Sequence, residues 1–184
     1  MKETNVPTCK EKESIHQNLM EEAYKKWDDN DEIKKYLDFL DRVLKDLGEI
    51  HYQAVITGNL NYQVENGGFS QWDFNGYSCC LNDLIQFFEE SFLDNKIITK
   101  ILNLLYECRD VVEWVDDGFM EIEKISYEYK EFFQEKLEEY KEESLSKLDS
   151  RYYEIGDKFM EILERYFKNE LNELKKKENN ATEN

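Results

Sequence analysis

The chain has 184 residues, with 42 Asp and Glu against 24 Lys and Arg, for a net charge of −18. That length suits one domain, and 40% hydrophobic content supplies a sizeable core. The charge argues against direct nucleic-acid binding, which needs a basic face, and against an anionic membrane surface; it attracts basic partners and keeps the protein soluble.

Residues 1–12 read as a polar, flexible tail. Ser14 is a good N-cap for a first helix reaching about Trp27, with Ile15, Leu19, Ala23 and Trp27 on one face. The turn "DDND" at 28–31 leads into a second helix with Ile33, Leu37, Leu40, Leu44 and Leu47 inward, ending at Gly48. A third runs from Glu49 to Glu65, with Ile50, Ala54 and Leu60 inward, and is expected to stop at Asn66-Gly67-Gly68. Ser78 is placed to cap a fourth helix carrying Leu81, Leu84, Ile85 and Phe88. A fifth begins near Asn95 with Ile97, Ile98, Ile101, Leu104, Leu105 and Cys108. Residues 109–125 stay open, with Gly118 a candidate break. A long helix then turns Phe133, Leu137, Tyr140, Ser144 and Leu148 inward. The last spans about Arg151–Lys175 with Ile155, Phe159, Ile162, Leu163, Tyr166 and Phe167, and residues 176–184 read as a disordered, solvated tail. No period-2 segment is long enough for a strand. The expected fold is all-α: a single-domain bundle of about six to eight helices over residues 13–175.

One stretch interrupts this helical pattern. "ENGGFSQWDFNGY", Glu65 to Tyr77, holds three of the seven glycines and four aromatics. Its glycines allow a sharp turn, after which the aromatics are expected to fold back between helices, Phe69 first. Asn66, Gln71, Asp73 and Asn75 are placed to tie the loop by side-chain hydrogen bonds. The alternative is an aromatic ligand pocket. Catalytic patterns are missing. The glycines do not form a GxxxxGK[ST] phosphate loop, and Ser70 lacks a GxSxG elbow. His16 and His51 have no second ligand-type residue at metal spacing and read as partly exposed helical histidines. Cys9, Cys79, Cys80 and Cys108 show no CxxC spacing and read as reduced thiols, the last three in the core. No enzymatic activity, metal or cofactor is expected. No run is apolar enough to span a membrane, and the N-terminus is too polar for a signal peptide, so a cytoplasmic location is expected.

"YLDFL" at 36–40, the glycine-aromatic stretch and "LDSRYYEI" at 148–155 together resemble the DNA mimic protein 19 family. Glu65, Asn66, Gly67, Gly68, Phe69, Gln71, Phe74 and Asn75 follow that family's motif in order, within a resemblance covering roughly residues 33–170. It implies a helical fold, in which Asn66 to Phe69, Gln71, Phe74 and Asn75 form a structural motif. It also implies an acidic protein that imitates duplex DNA and occupies a DNA-binding protein's site.

The charge distribution can be weighed independently. Residues 101–150 carry fifteen Asp and Glu against six Lys and Arg. Glu128, Glu131, Glu135, Glu138 and Glu142 recur at spacings of 3, 4, 3 and 4, one stripe of a helix, which Glu139 and Glu143 widen. The stripe sets Glu131 over Glu135, Glu135 over Glu139 and Glu138 over Glu142, each like-charge contact costing a few tenths of a kcal/mol. Only Glu143–Lys147 has the favourable order. Asp110, Glu113, Asp116, Asp117, Glu121 and Glu123 supply a second row. One helix cannot reach duplex DNA's roughly one charge per 1.7 Å; several acidic faces, or a homodimer, approach it. The leading expectation is a partner that is a basic DNA-binding protein: a transcription regulator, a nucleoid protein, or a restriction or CRISPR effector inhibited in an anti-defence role. The alternative is a helical immunity protein that neutralises a basic partner without DNA mimicry.

Overall fold

The computed structural model describes residues 14–25, 33–92 and 94–182; the side chains at 33–35, 128 and 181–182 lie outside that set, as do the expected N-terminal tail, Trp27 and the 28–31 turn. The described chain is all-α: α1 (Ile15–Tyr24), α2 (Ile33–Leu47), α3 (Glu49–Phe74), α4 (Leu81–Ser91), α5 (Lys96–Ile122), α6 (Tyr127–Tyr153) and α7 (Gly156–Thr182). A short 3-10 turn, Tyr77–Cys80, precedes α4.

Helix starts follow local chemistry. The Ser14 hydroxyl accepts from Gln17 N–H at 3.2 Å, and the Asn95 carbonyl oxygen accepts from Ile97 and Ile98 N–H at 3.0 and 3.2 Å. Ser78 does not cap α4; it lies inside the 3-10 turn, and Cys80 stands at the cap position.

α3 is the central helix and packs on α1, α2, α6 and α7. Its run Ala54–Leu60 is buried all round, as expected of a helix enclosed by neighbours. Phe39, Phe69, Trp72, Phe88, Tyr152, Phe159 and Phe167 fill the space between helices.

Two apolar faces and one candidate break differ from the sequence reading. α2 buries Tyr36, Phe39, Leu40 and Val43, while Leu37 and Leu44 remain 46% and 41% exposed. That is a rotation of about one residue, or 100°, and it brings Phe39 onto Tyr24 and Tyr36 edge-on to Tyr77. α5 does not break at Gly118; it runs to Ile122, and the missing side chain lets Leu137 of α6 approach closely. α6 buries Leu145, Leu148 and Tyr152, whereas Phe133 and Tyr140 are exposed. The main core ends at Cys108 in α5 and Leu145 in α6. Beyond it the two helices continue antiparallel as a hairpin, sealed by little more than Val115, Ile122 and Leu137, and among the described residues no third element covers Phe133 and Tyr140.

α7 begins at Gly156 and stays helical through Thr182, where the sequence reading places a disordered tail. His16 is buried, not partly exposed. Its Nε2 lies 3.0 Å from the Ala54 carbonyl and 3.1 Å from Thr57 Oγ1, and its ring stacks on Phe167. Cys80 and Cys108 are buried but Cys79 is exposed, and all three are free thiols.

Candidate functional site

The glycine-aromatic stretch is a kink within α3, not its end. Gly67 is extended, with φ −167°, and Gly68 takes φ +79°, after which the helix resumes to Phe74. Of the two kink glycines, Gly68 needs the left-handed half of backbone space and Gly67 does not. The resumed segment has its own N-terminus, and Asp149 of α6 caps it: Phe69 N–H donates to Asp149 Oδ1 at 2.8 Å. A Cβ on Gly68 would sit 2.2 Å from Asp149 Oδ2, so the glycine also makes room for the cap. Burial raises the Asp149 carboxyl pKa, and the bond from Phe69 N–H partly offsets this.

The remaining motif residues lock the kink. Gln63 Oε1 accepts from Gln71 Nε2 at 2.9 Å and from Asn75 Nδ2 at 2.8 Å. Asn66 Nδ2 donates to the Tyr62 carbonyl at 2.5 Å. Asp73 pairs across to Lys141 of α6 at 2.5 Å rather than tying the loop to itself. Phe69 is buried with its ring edge-on to Trp72 and Tyr152. Tyr152 OH donates to Asn61 Oδ1 and Tyr153 OH to the Val64 carbonyl, at 2.8 and 2.9 Å. "LDSRYYEI" is therefore the clasp that holds the corner. Phe74 departs from the expectation that the aromatics fold back: its ring is 86% exposed.

Sequence reasoning missed Asp149, Gln63 and Lys141. They sit 80, 8 and 68 residues from their respective partners Phe69, Gln71 and Asp73, too far for any local pattern except the helical spacing of Gln63 and Gln71.

The corner abuts the acidic hairpin. A groove runs between them, lined by Gly67, Ser70, Gln71, Asp73 and Phe74 from the corner, Phe119 from α5, and Glu138, Lys141, Glu142 and Leu145 from α6. Helical spacing sets Glu131 and Glu135 on the same side of α6 as Glu138 and Glu142. The reverse face of the hairpin holds a second, apolar groove between Trp114, Gly118 and Ile122 of α5 and Phe133, Lys136, Leu137 and Tyr140 of α6.

The carboxylates assigned to the acidic surface divide into two groups. Asp110, Glu113, Asp116, Asp117, Glu121, Glu123, Glu131, Glu135, Glu138, Glu139 and Glu142 are all exposed; the Glu128 side chain lies outside the described residues. Glu113 pairs with Arg109, Glu121 with Lys124, Glu123 with Lys130 and Glu139 with Lys136. Asp110, Asp116, Asp117, Glu131, Glu135, Glu138 and Glu142 form no ion pair among the described residues. The second sequence row divides between the two faces. By helical spacing, Asp110, Asp117 and Glu121 flank Trp114 on the reverse face, while Asp116 and Glu123 fall nearer Phe119, on the corner side with the α6 stripe. Among the described residues no group of three or more His, Cys, Asp or Glu is placed to hold a metal, and no helix is long and apolar enough to cross a membrane.

A glycine-kinked central helix clasped by a long acidic helix, with exposed carboxylates on a hairpin beyond the core, defines an acidic all-α protein. The family model described as DMP19-like protein matches residues 45–170, more than half of the chain, and the chain belongs to that family. The match takes in the kink, both helices of the hairpin and the Asp149 clasp. No curated protein matches the chain, and no solved structure does.

Proposed function

We propose that this protein is a non-enzymatic DNA mimic that binds a basic DNA-binding protein and blocks its DNA site. The observation that carries the reading is the α6 stripe. Glu131, Glu135, Glu138 and Glu142 are exposed, lack an ion pair among the described residues, and stand on a hairpin that extends past the core. Successive stripe residues rise about 4.5 to 6 Å along the axis. Like charges stacked at that spacing oppose helix stability, so their presence fits a surface shaped by a cationic partner. Membership of a DMP19-like family supports the same reading. The targets that fit are a transcription regulator, a nucleoid protein, or a defence nuclease such as a restriction or CRISPR effector.

A second reading, an immunity-type module that neutralises a basic protein without imitating DNA, is favoured by the exposed apolar groove at Trp114, Phe133 and Tyr140, which a phosphate mimic does not need. Competition decides between them. In the mimic reading, duplex DNA and this protein exclude each other from the partner. A ternary complex of partner, DNA and this protein would leave the immunity-type module as the better account.

A further inference from the structure

We propose that the groove between the corner and the stripe is an arginine socket: Phe74 receives the face of a guanidinium from the partner protein, and Glu138 and Glu142 accept its N–H groups. The inference rests on the reading of the hairpin as a docking face for a basic protein, and deepens it by naming the side chain that anchors there.

Phe74 is the one aromatic of the motif that the core does not use. Phe69 and Trp72 are fully enclosed, while Phe74 is 86% exposed and stacks on no other ring among the described residues. Its backbone is nonetheless anchored. The Gly68 kink aims its helix segment at α6, and Asn75, the next residue, is tied to Gln63. An exposed phenyl ring that lines a groove together with carboxylates offers a negative π-face to a cation drawn there by the charge, which is what a flat cation prefers.

The charge inside the groove has the matching sign. Lys141 is already neutralised by Asp73 at 2.5 Å, so it does not repel an incoming cation. Glu138 and Glu142 line the same groove and have no ion pair among the described residues. They stand one helical turn apart, so their carboxylates can approach a guanidinium from neighbouring directions. Glu131 and Glu135 continue the negative potential away from the groove, where further basic residues of the partner would lie. An apolar side chain in the groove would strip water from Glu138 and Glu142 without compensating them. A lysine would meet the charge but gain less from the ring, because its ammonium is a compact and strongly hydrated point charge. Arginine satisfies both, with a planar, weakly hydrated group and five forked donors.

The test uses the full chain and two synthetic peptides of equal length and charge, one built on arginine and one on lysine, titrated by calorimetry. The arginine peptide is expected to bind about three- to tenfold more tightly. Phe74→Ala should remove that preference, weakening the arginine peptide well beyond the lysine peptide. Phe74→Tyr should keep the preference, and circular dichroism should show both variants folded. The Glu138→Gln, Glu142→Gln double variant should lose the preference and weaken both peptides, whereas Glu131→Gln with Glu135→Gln should weaken both equally. Absence of binding, equal affinities for the two peptides in the unmodified chain, or a preference that survives Phe74→Ala would each overturn the socket. DNA competition plays no part in this measurement, so the socket and the mimicry can fail separately.

Discussion

At the scale of single residues, the corner is explained by the Gly68 and Asp149 pair. Gly68 supplies a φ of +79° and an open space, and Asp149 fills that space with the carboxylate that caps Phe69. Gly68→Ala is therefore expected to destabilise by about 1–3 kcal/mol, from backbone strain and a clash with Asp149. Asp149→Ala should cost about 1–2 kcal/mol through the lost cap. In the double variant the clash has no partner, so its loss should be smaller than the sum; strict additivity in urea denaturation would refute the coupling. Phe69→Ala should cost about 3–5 kcal/mol, since the ring is fully buried between Trp72 and Tyr152. His16 adds a pH term. Burial holds its pKa below the ordinary 6.5, with the Ala54 carbonyl and Glu164 opposing the shift only in part. The unfolded chain takes up this proton more readily than the folded one. His16 thus contributes stability that is fully present above pH 6.5 and is lost as pH falls through the lower folded value. A His16→Gln variant should show a shallower decline in stability across that window than the unmodified chain.

At the scale of elements, the α5–α6 hairpin separates stability from charge. Its N-terminal α6 half packs on little besides α5, and its stripe carries stacked like charges. Replacing Glu131, Glu135, Glu138 and Glu142 with Gln removes that repulsion and changes helix propensity little. The variant is expected to melt no lower than the parent while binding its partner more weakly. Unchanged affinity would move the interface to the reverse face, where Asp110 and Asp117 flank Trp114. Much of the element plan is legible in the sequence: the Ser14 cap, the start of α5 near Asn95, the α2–α3 junction at Gly48, and the inward face of α4 and early α5. The α2 face is not, because Leu37 and Leu44 fit a helical stripe as well as Tyr36, Phe39 and Val43 do, and only the neighbouring rings of Tyr24 and Tyr77 choose between them. Phe133 and Tyr140 likewise fit an inward stripe, but among the described residues no third helix covers them.

At the scale of the whole molecule, a net charge of −18 acts on encounter more than on the bound complex. Exposed charges are screened within about 8 Å at physiological ionic strength. Raising salt should therefore slow association with the partner several-fold more than it quickens dissociation. Stopped-flow or surface-based kinetics at two salt concentrations check this, and an effect confined to dissociation would point to a desolvated contact instead of long-range attraction.

The sequence by itself determined that the protein is helical, acidic and interrupted at one glycine pair, because caps, helical periodicity, charge and the absence of proline after Pro7 are local or additive properties. It also carried the resemblance to the family whose model matches residues 45–170. Only the tertiary structure decided that the interruption is a kink, that Asp149 caps it from 80 residues away, and that Phe74 faces solvent in a groove shared with Glu138 and Glu142. Those outcomes depend on which helices lie side by side, and hydrogen bonds and burial between distant segments leave no period in a single chain.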